Sequence, residues 1–112
     1  MTGIIRNINS VKPIATSHRI GSKIVLLANG ETETRLTQIA ITTLKRGEQS
    51  ETHVHPTMEE CFLVIKGMLT IQVETKQFKL GKGDFIQVKP KQIHSITALT
   101  DIIVLTIGCA TN

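Results

Sequence analysis

His53 and His55 are separated by one residue, Glu60 follows, and His94 stands further along the chain. Along an extended backbone, side chains alternate faces, so positions 53 and 55 point the same way. Two imidazoles on one face can grip a single metal ion. A carboxylate and a third imidazole complete a three-nitrogen, one-oxygen set suited to zinc, iron, manganese, nickel or copper. Three of the chain's four histidines fall into this set. The fourth, His18, is isolated, and a lone histidine is more often a surface or satisfied core residue than a ligand.

The neighbours of these residues suggest their setting. If Glu60 faces inward, alternation brings Phe62 and Val64 to the same side; if His94 does, Ile96 and Ala98 follow. Phe62, Val64 and Ile96 are therefore expected to line an apolar cavity around the polar group, where a low dielectric strengthens electrostatics. Cys61 falls on the face opposite Glu60 and is read as a packed residue, not a ligand. Glu48, Glu51 and Glu59 read as solvated turn charges, one of which could support a ligating histidine from outside. Lys89 and Lys91 precede His94 and are candidate anion contacts at the cavity mouth.

These side chains need strands to hold them. The chain reads as short runs rich in Ile, Val, Thr and Phe: 23–27, 36–44, 53–55, 60–65, 68–73, 77–80, 85–88, 94–98 and 102–107. Asn29-Gly30, Lys66-Gly67 and the stretch Leu80-Gly-Lys-Gly-Asp84 supply turn signals between them. No long window carries an apolar period of 3.6. Many short strands at near-regular spacing predict an all-β sandwich or barrel, not βαβ units. Residues 1–20 mix polar and isolated apolar residues and read as an N-terminal arm or edge strand; residues 21–112 form the single domain.

Composition narrows the function classes. The chain has 112 residues, is 40% hydrophobic and 20% charged, and carries a formal charge of +4. That is one globular domain with no room for a second core. Its basic residues are spread out apart from Lys76, Lys79, Lys82, Lys89 and Lys91, which read as solvated strand edges and turns, and it contains three Phe but no Tyr or Trp, so stacking aromatics are missing and nucleic acid is not the expected partner. No apolar stretch is long enough to span a bilayer. Met1 to Lys12 lacks the apolar core of a signal peptide, so a cytoplasmic location is expected. Cys61 and Cys109 form no CxxC pair and are expected to be reduced.

The segment from Gly47 to Gly67 resembles the first motif of the cupin superfamily: Gly47, five residues, His53-x-His55, four residues, Glu60, six residues, Gly67. Glu59 also lies within reach of His55, but only Glu60 leaves the motif's six residues before the glycine. The second cupin motif is matched by Gly83, Asp84, Pro90 and His94, with Lys91 where Gly usually stands and Ala98 where Asn usually stands. The missing glycine bears on the turn, because that position normally uses glycine's backbone freedom. The resemblance covers roughly residues 36–107. It implies a small antiparallel β-barrel, or double-stranded β-helix (jelly roll), with one divalent metal ion held by His53, His55, Glu60 and His94 inside one end. It also implies a homodimer, formed by packing sheet faces or exchanging an N-terminal strand, and a small-molecule ligand or substrate.

Three functions follow as expectations: a metal-dependent enzyme acting on a small oxygenated, sugar- or carboxylate-like molecule; a non-catalytic module binding such a ligand or a sugar; or a barrel with a purely structural metal. For an enzyme, the classes are dioxygenase, decarboxylase or sugar-type isomerase. The absence of Tyr weighs against the sugar-nucleotide epimerases of the superfamily and removes the Tyr–Cys cross-link of its thiol dioxygenases. No general acid or base is identifiable. Few aromatics also disfavour a large planar substrate.

Overall fold

Eight of the nine expected runs become strands, and a short strand in the N-terminal arm makes nine, in the computed structural model, which describes residues 3–16, 20–50 and 52–111. His18 and Glu51 lie outside the described residues. The strands are β1 (Ile14–Ala15), β2 (Ser22–Ala28), β3 (Leu36–Leu44), β4 (Met58–Lys66), β5 (Met68–Val73), β6 (Lys76–Gly81), β7 (Phe85–Val88), β8 (His94–Ala98) and β9 (Ile102–Ala110). Among the described residues the one helical element is a 3-10 turn, Asn29–Glu31, at the expected Asn-Gly turn. Every pairing is antiparallel. One sheet has the order β1-β2-β3-β9-β4-β7 and the other β6-β5-β8.

The segment that carries the two neighbouring histidines departs from expectation. Residues 53–55 are not a strand; His53 makes an isolated bridge to His94. The segment still runs along β8: Gly47 N–H donates to the Ala98 carbonyl, Ser50 N–H to Ile96, and His53 N–H to His94. Pro56 follows directly, has no N–H to give and cannot extend the ladder.

Alternation builds the core. On β4, Glu60, Phe62 and Val64 are buried; on β5, Leu69, Ile71 and Val73; on β9, Ile102, Val104 and Thr106. The apolar members join Leu44, Val88 and Ala98 in one cluster between the two sheets. Burying each large aliphatic side chain contributes about 1.5–3 kcal/mol, so this layer dominates the stability of the frame that holds the polar end.

Two left-handed turns shape this frame, one at the end of β4 away from Glu60 and one beside His55. Gly67 joins β4 to β5 at φ 85°, and a Cβ there would lie 2.2 Å from the Asp101 carbonyl oxygen, so only glycine fits. Lys91 replaces the glycine usual in the second motif, yet it adopts φ 71° and donates its N–H to the His55 carbonyl at 2.9 Å. The left-handed turn is therefore made despite the Cβ cost.

At the N-terminal side, β1 pairs with β2 at the edge of the larger sheet. Arg6 ties the preceding arm to the 3-10 turn, donating to both carboxylate oxygens of Glu31 at 2.9 and 2.6 Å and to the Leu26 carbonyl. Glu31 also accepts the Ala28 N–H.

Candidate metal centre

Glu60 sits on β4 with its side chain turned into the barrel, 7% exposed. Its in-register neighbour on β9 is Gly108. A Cβ on Gly108 would meet the Thr37 hydroxyl at 2.4 Å. The bare backbone there lets Thr37, at a bulge in β3, donate to the Met58 thioether at 3.0 Å. Met58 in turn lines the cavity beside Glu60.

Three imidazoles converge on one oxygen of Glu60. The Nε2 atoms of His94, His55 and His53 lie 3.1, 3.2 and 3.8 Å from Oε1. One donor atom from each of the four residues lies within 4.8 Å of the other three. The rings are packed edge to face, with the His53 and His94 centroids 4.1 Å apart. Val54, between the two paired histidines, is 47% exposed and points away, as alternation requires. The sequence thus brings together all four residues that it singled out.

The donor chemistry fits a cation. The Nδ1 of His94 is 3.1 Å from the Gln92 carbonyl, which can only accept, so Nδ1 is placed to donate to it. That leaves Nε2 facing the centre, the arrangement by which an outer hydrogen bond fixes a ligating ring. Burial pushes the Glu60 carboxyl up, but hydrogen bonds from His53 and His94 and the charge of His55 outweigh it, and its pKa falls to about 2. The carboxylate is ionised, buried and in need of positive charge. Either protons on the imidazoles or one metal ion can supply it.

The centre opens on one side. His53, His55 and Glu60 line a cavity of about 210 Å³ together with Phe62, Ile96 and Thr106, whereas His94 is 2% exposed and closes the back. Phe62 packs near His94, ring centroids 6.2 Å apart. The expectation for Val64 needs correction: it shares the inward face with Glu60 and Phe62, but lies deeper, in the core cluster, and is not among the lining residues. Lys89 and Lys91 also fall away from this cavity; both are exposed, and Lys89 borders a separate surface hollow near Phe78 and Phe85. Their nearness to His94 in sequence does not carry across the left-handed turn at Lys91.

Other expected residues have other partners. Glu48 accepts the Lys45 N–H at its turn, and Glu59 accepts from Gln87 on the neighbouring strand. Cys61 lies on the face opposite Glu60, half-buried, as does Cys109 two steps along on β9. Burial pushes the Cys61 thiol up, which keeps it a poor nucleophile.

Sequence reading missed Lys23, Gln38 and Thr42. All three line the cavity, and the Lys23 amine donates to the Gln38 side-chain oxygen at 3.3 Å. Lys23 stands opposite Thr42 in the β2–β3 ladder. A lysine opening an apolar run is the one available signal, and only strand pairing gives it meaning.

Comparison with known proteins agrees with this architecture. A family model described as the cupin domain matches residues 40–108. The fold superimposes on the crystal structure of a predicted oxalate decarboxylase from Thermotoga maritima with a TM-score of 0.87, at 19% identity, over 96% of this chain and 99% of that one. The structure of KdgF from Halomonas sp. gives 0.84 at 16% identity, over 99% and 96%. In sequence, an uncharacterized protein of Methanocaldococcus jannaschii is 27% identical over 64 residues, 57% of this chain. The match spans about half of that relative's length, 51%. The matched segment carries the His-x-His pair, Glu60, His94 and the strands β4 to β8 that position them: this chain belongs to the cupin domain family.

Proposed function

We propose that the protein is a metal-dependent enzyme that acts on a small oxygenated molecule, using one divalent ion held by His53, His55, Glu60 and His94. The observation that carries this reading is the convergence of four donor atoms within 4.8 Å on the wall of a cavity. A closed structural site would have its ligands turned away from any ligand space; three of these four face it. When bound, such an ion supplies Lewis acidity toward a carbonyl or carboxylate oxygen.

The chain's own residues supply the rest. His94, anchored through Gln92, fixes one corner of the donor set. Phe62 and Ile96 keep the neighbouring wall apolar, which excludes water and raises the strength of each polar contact. The similarity in fold to a predicted oxalate decarboxylase makes loss of carbon dioxide from a small carboxylate the first reaction to assay.

A non-catalytic binding module is the second reading. It is favoured by one observation: among the described lining residues Lys23 is the one titratable group outside the donor set, and it suits holding an anion as well as moving a proton.

The assembly expected from the family resemblance is a homodimer. The outer side of β9 supports it, where Ile103, Leu105 and Ile107 form a half-buried apolar row, and the arm exposes Ile4, Ile5 and Ile8.

The test is elemental analysis of untagged protein beside the His53→Ala/His55→Ala variant. About one iron, manganese, nickel, copper or zinc per chain, lost in the variant, is the expected result. Metal absent even after reloading would overturn the reading. Turnover of the small-carboxylate panel by the loaded protein separates enzyme from binding module.

A further inference from the structure

Lys23 is the one lysine or arginine among the described residues lining the cavity. Its recorded partner is the neutral Gln38 amide, at a long 3.3 Å. No carboxylate among the described residues pairs with it. A half-buried ammonium facing an apolar space is costly unless something negative meets it. Gln38, Thr42 and Lys23 together form a polar corner on β2 and β3, in the larger sheet, whereas His94 and the bridged His53 belong to the edge of the other.

The position sets a span. In the larger sheet, β2 is three strands from β4, the strand of Glu60. Three steps of the sheet measure roughly 14 Å between backbones before curvature, and both side chains reach into that distance. A ligand touching both ends therefore needs two polar groups on a short skeleton. The cavity of about 210 Å³ is smaller than the roughly 300 Å³ at which drug-sized sites begin, so that skeleton is only a few atoms long.

Charge points the same way. A divalent ion beside the single carboxylate of Glu60 leaves an excess of positive charge, and Lys23 adds to it. A dianion neutralises both in a site where unpaired charge is expensive.

We infer that the cavity takes a short dicarboxylate, one end directed to the histidine–glutamate centre and the other carboxylate received by the Lys23 ammonium with Gln38 and Thr42 beside it. This rests on the metal reading for the first end, while the second end depends on Lys23 alone. Lys23 is then the residue that decides between acids and neutral molecules of the same shape.

The experiment is calorimetric titration of protein of known metal content with straight-chain dicarboxylates from oxalate to glutarate, and with the corresponding diamides. At least one acid should bind at least tenfold more tightly than its diamide. Lys23→Met should remove most of that preference without changing metal content or lowering the melting temperature, and Lys23→Arg should restore most of it. Lys23→Gln serves if the Met variant does not fold. Equal binding of acid and diamide, no acid binding to metal-replete protein, or an unchanged preference in Lys23→Met each overturns the inference. Absence of metal together with a Lys23-dependent preference for acids would sink the metal reading and leave this one standing.

Discussion

His53 and His94 exchange both of their backbone hydrogen bonds, N–H to carbonyl at 3.0 and 2.9 Å, although one belongs to a loop and the other opens a strand. This reciprocal pair fixes the separation of the two rings before any ion is considered. The rings meet at 4.1 Å between centroids because their backbones are locked, not because the side chains attract each other.

Removing one donor should therefore empty the site without unfolding the barrel. For His53→Ala, whose ring is half-buried at the cavity wall, metal affinity is expected to fall by roughly 100-fold or more, beyond the 10–100-fold typical of losing an outer partner. The melting temperature of the metal-free protein should fall modestly, because the buried Glu60 carboxylate loses its His53 hydrogen bond, while the barrel stays folded. Competition with a chromogenic chelator measures the first and calorimetry the second; retained affinity would contradict the donor assignment.

Acid should act in two separate steps. The folded pKa of Glu60, about 2, lies below its ordinary 4.5. Its contribution to stability is thus complete above about pH 4.5 and is lost as pH falls through about 2. Metal, in contrast, competes with protons for imidazole nitrogen, so the ion should leave between roughly pH 6.5 and 5. Carbon-detected NMR of the Glu60 carboxyl, run beside metal-release measurements, distinguishes the windows. A single shared transition would be the contrary outcome.

Core and turn substitutions have larger effects on stability. Ile71 is 0% exposed at the centre of the core, and Ile71→Ala should cost about 2–5 kcal/mol in urea unfolding. Gly67→Ala combines a left-handed φ with a clash against the Asp101 carbonyl, so a loss above about 1–3 kcal/mol is expected.

Lys91→Gly should go the other way. Lys91 holds φ 71° with a side chain that is exposed and not needed at the cavity. Relief of left-handed strain, about 1–2 kcal/mol, exceeds the extra chain entropy of glycine, about 0.5–1 kcal/mol. A rise in the urea midpoint is the expected reading, and a fall would mean the lysine stem packs usefully.

Much of this design is legible in one dimension. The strands β3, β5, β7 and β8 begin and end where their apolar runs do, since turn residues bound them. His53, His55 and Glu60 announce themselves because alternation and short spacing are local properties. Depth and pairing are not local. Alternation assigns Val64 to the inner face but cannot say that it is buried in the core without lining the cavity. Lys89 and Lys91 sit close to His94 in sequence, yet the turn between them leads outward. Lys23 gains its place only when β2 pairs with β3 and that pair joins β9. The histidine loop lacks strand geometry because Pro56 interrupts it, a detail that its β-like pattern conceals.

The donor set is drawn from both sheets: Glu60 from the six-stranded one, His94 and the bridged His53 from the edge of the other. An intact site consequently does not exist until the two layers have closed on each other. An ion captured there acts as a latch on the finished molecule. It should slow unfolding far more than it speeds refolding, since contacts formed late stabilise the native state against escape without guiding the chain toward it. With an ion bound there, persistence of the fold, measured as a half-life, would follow metal supply.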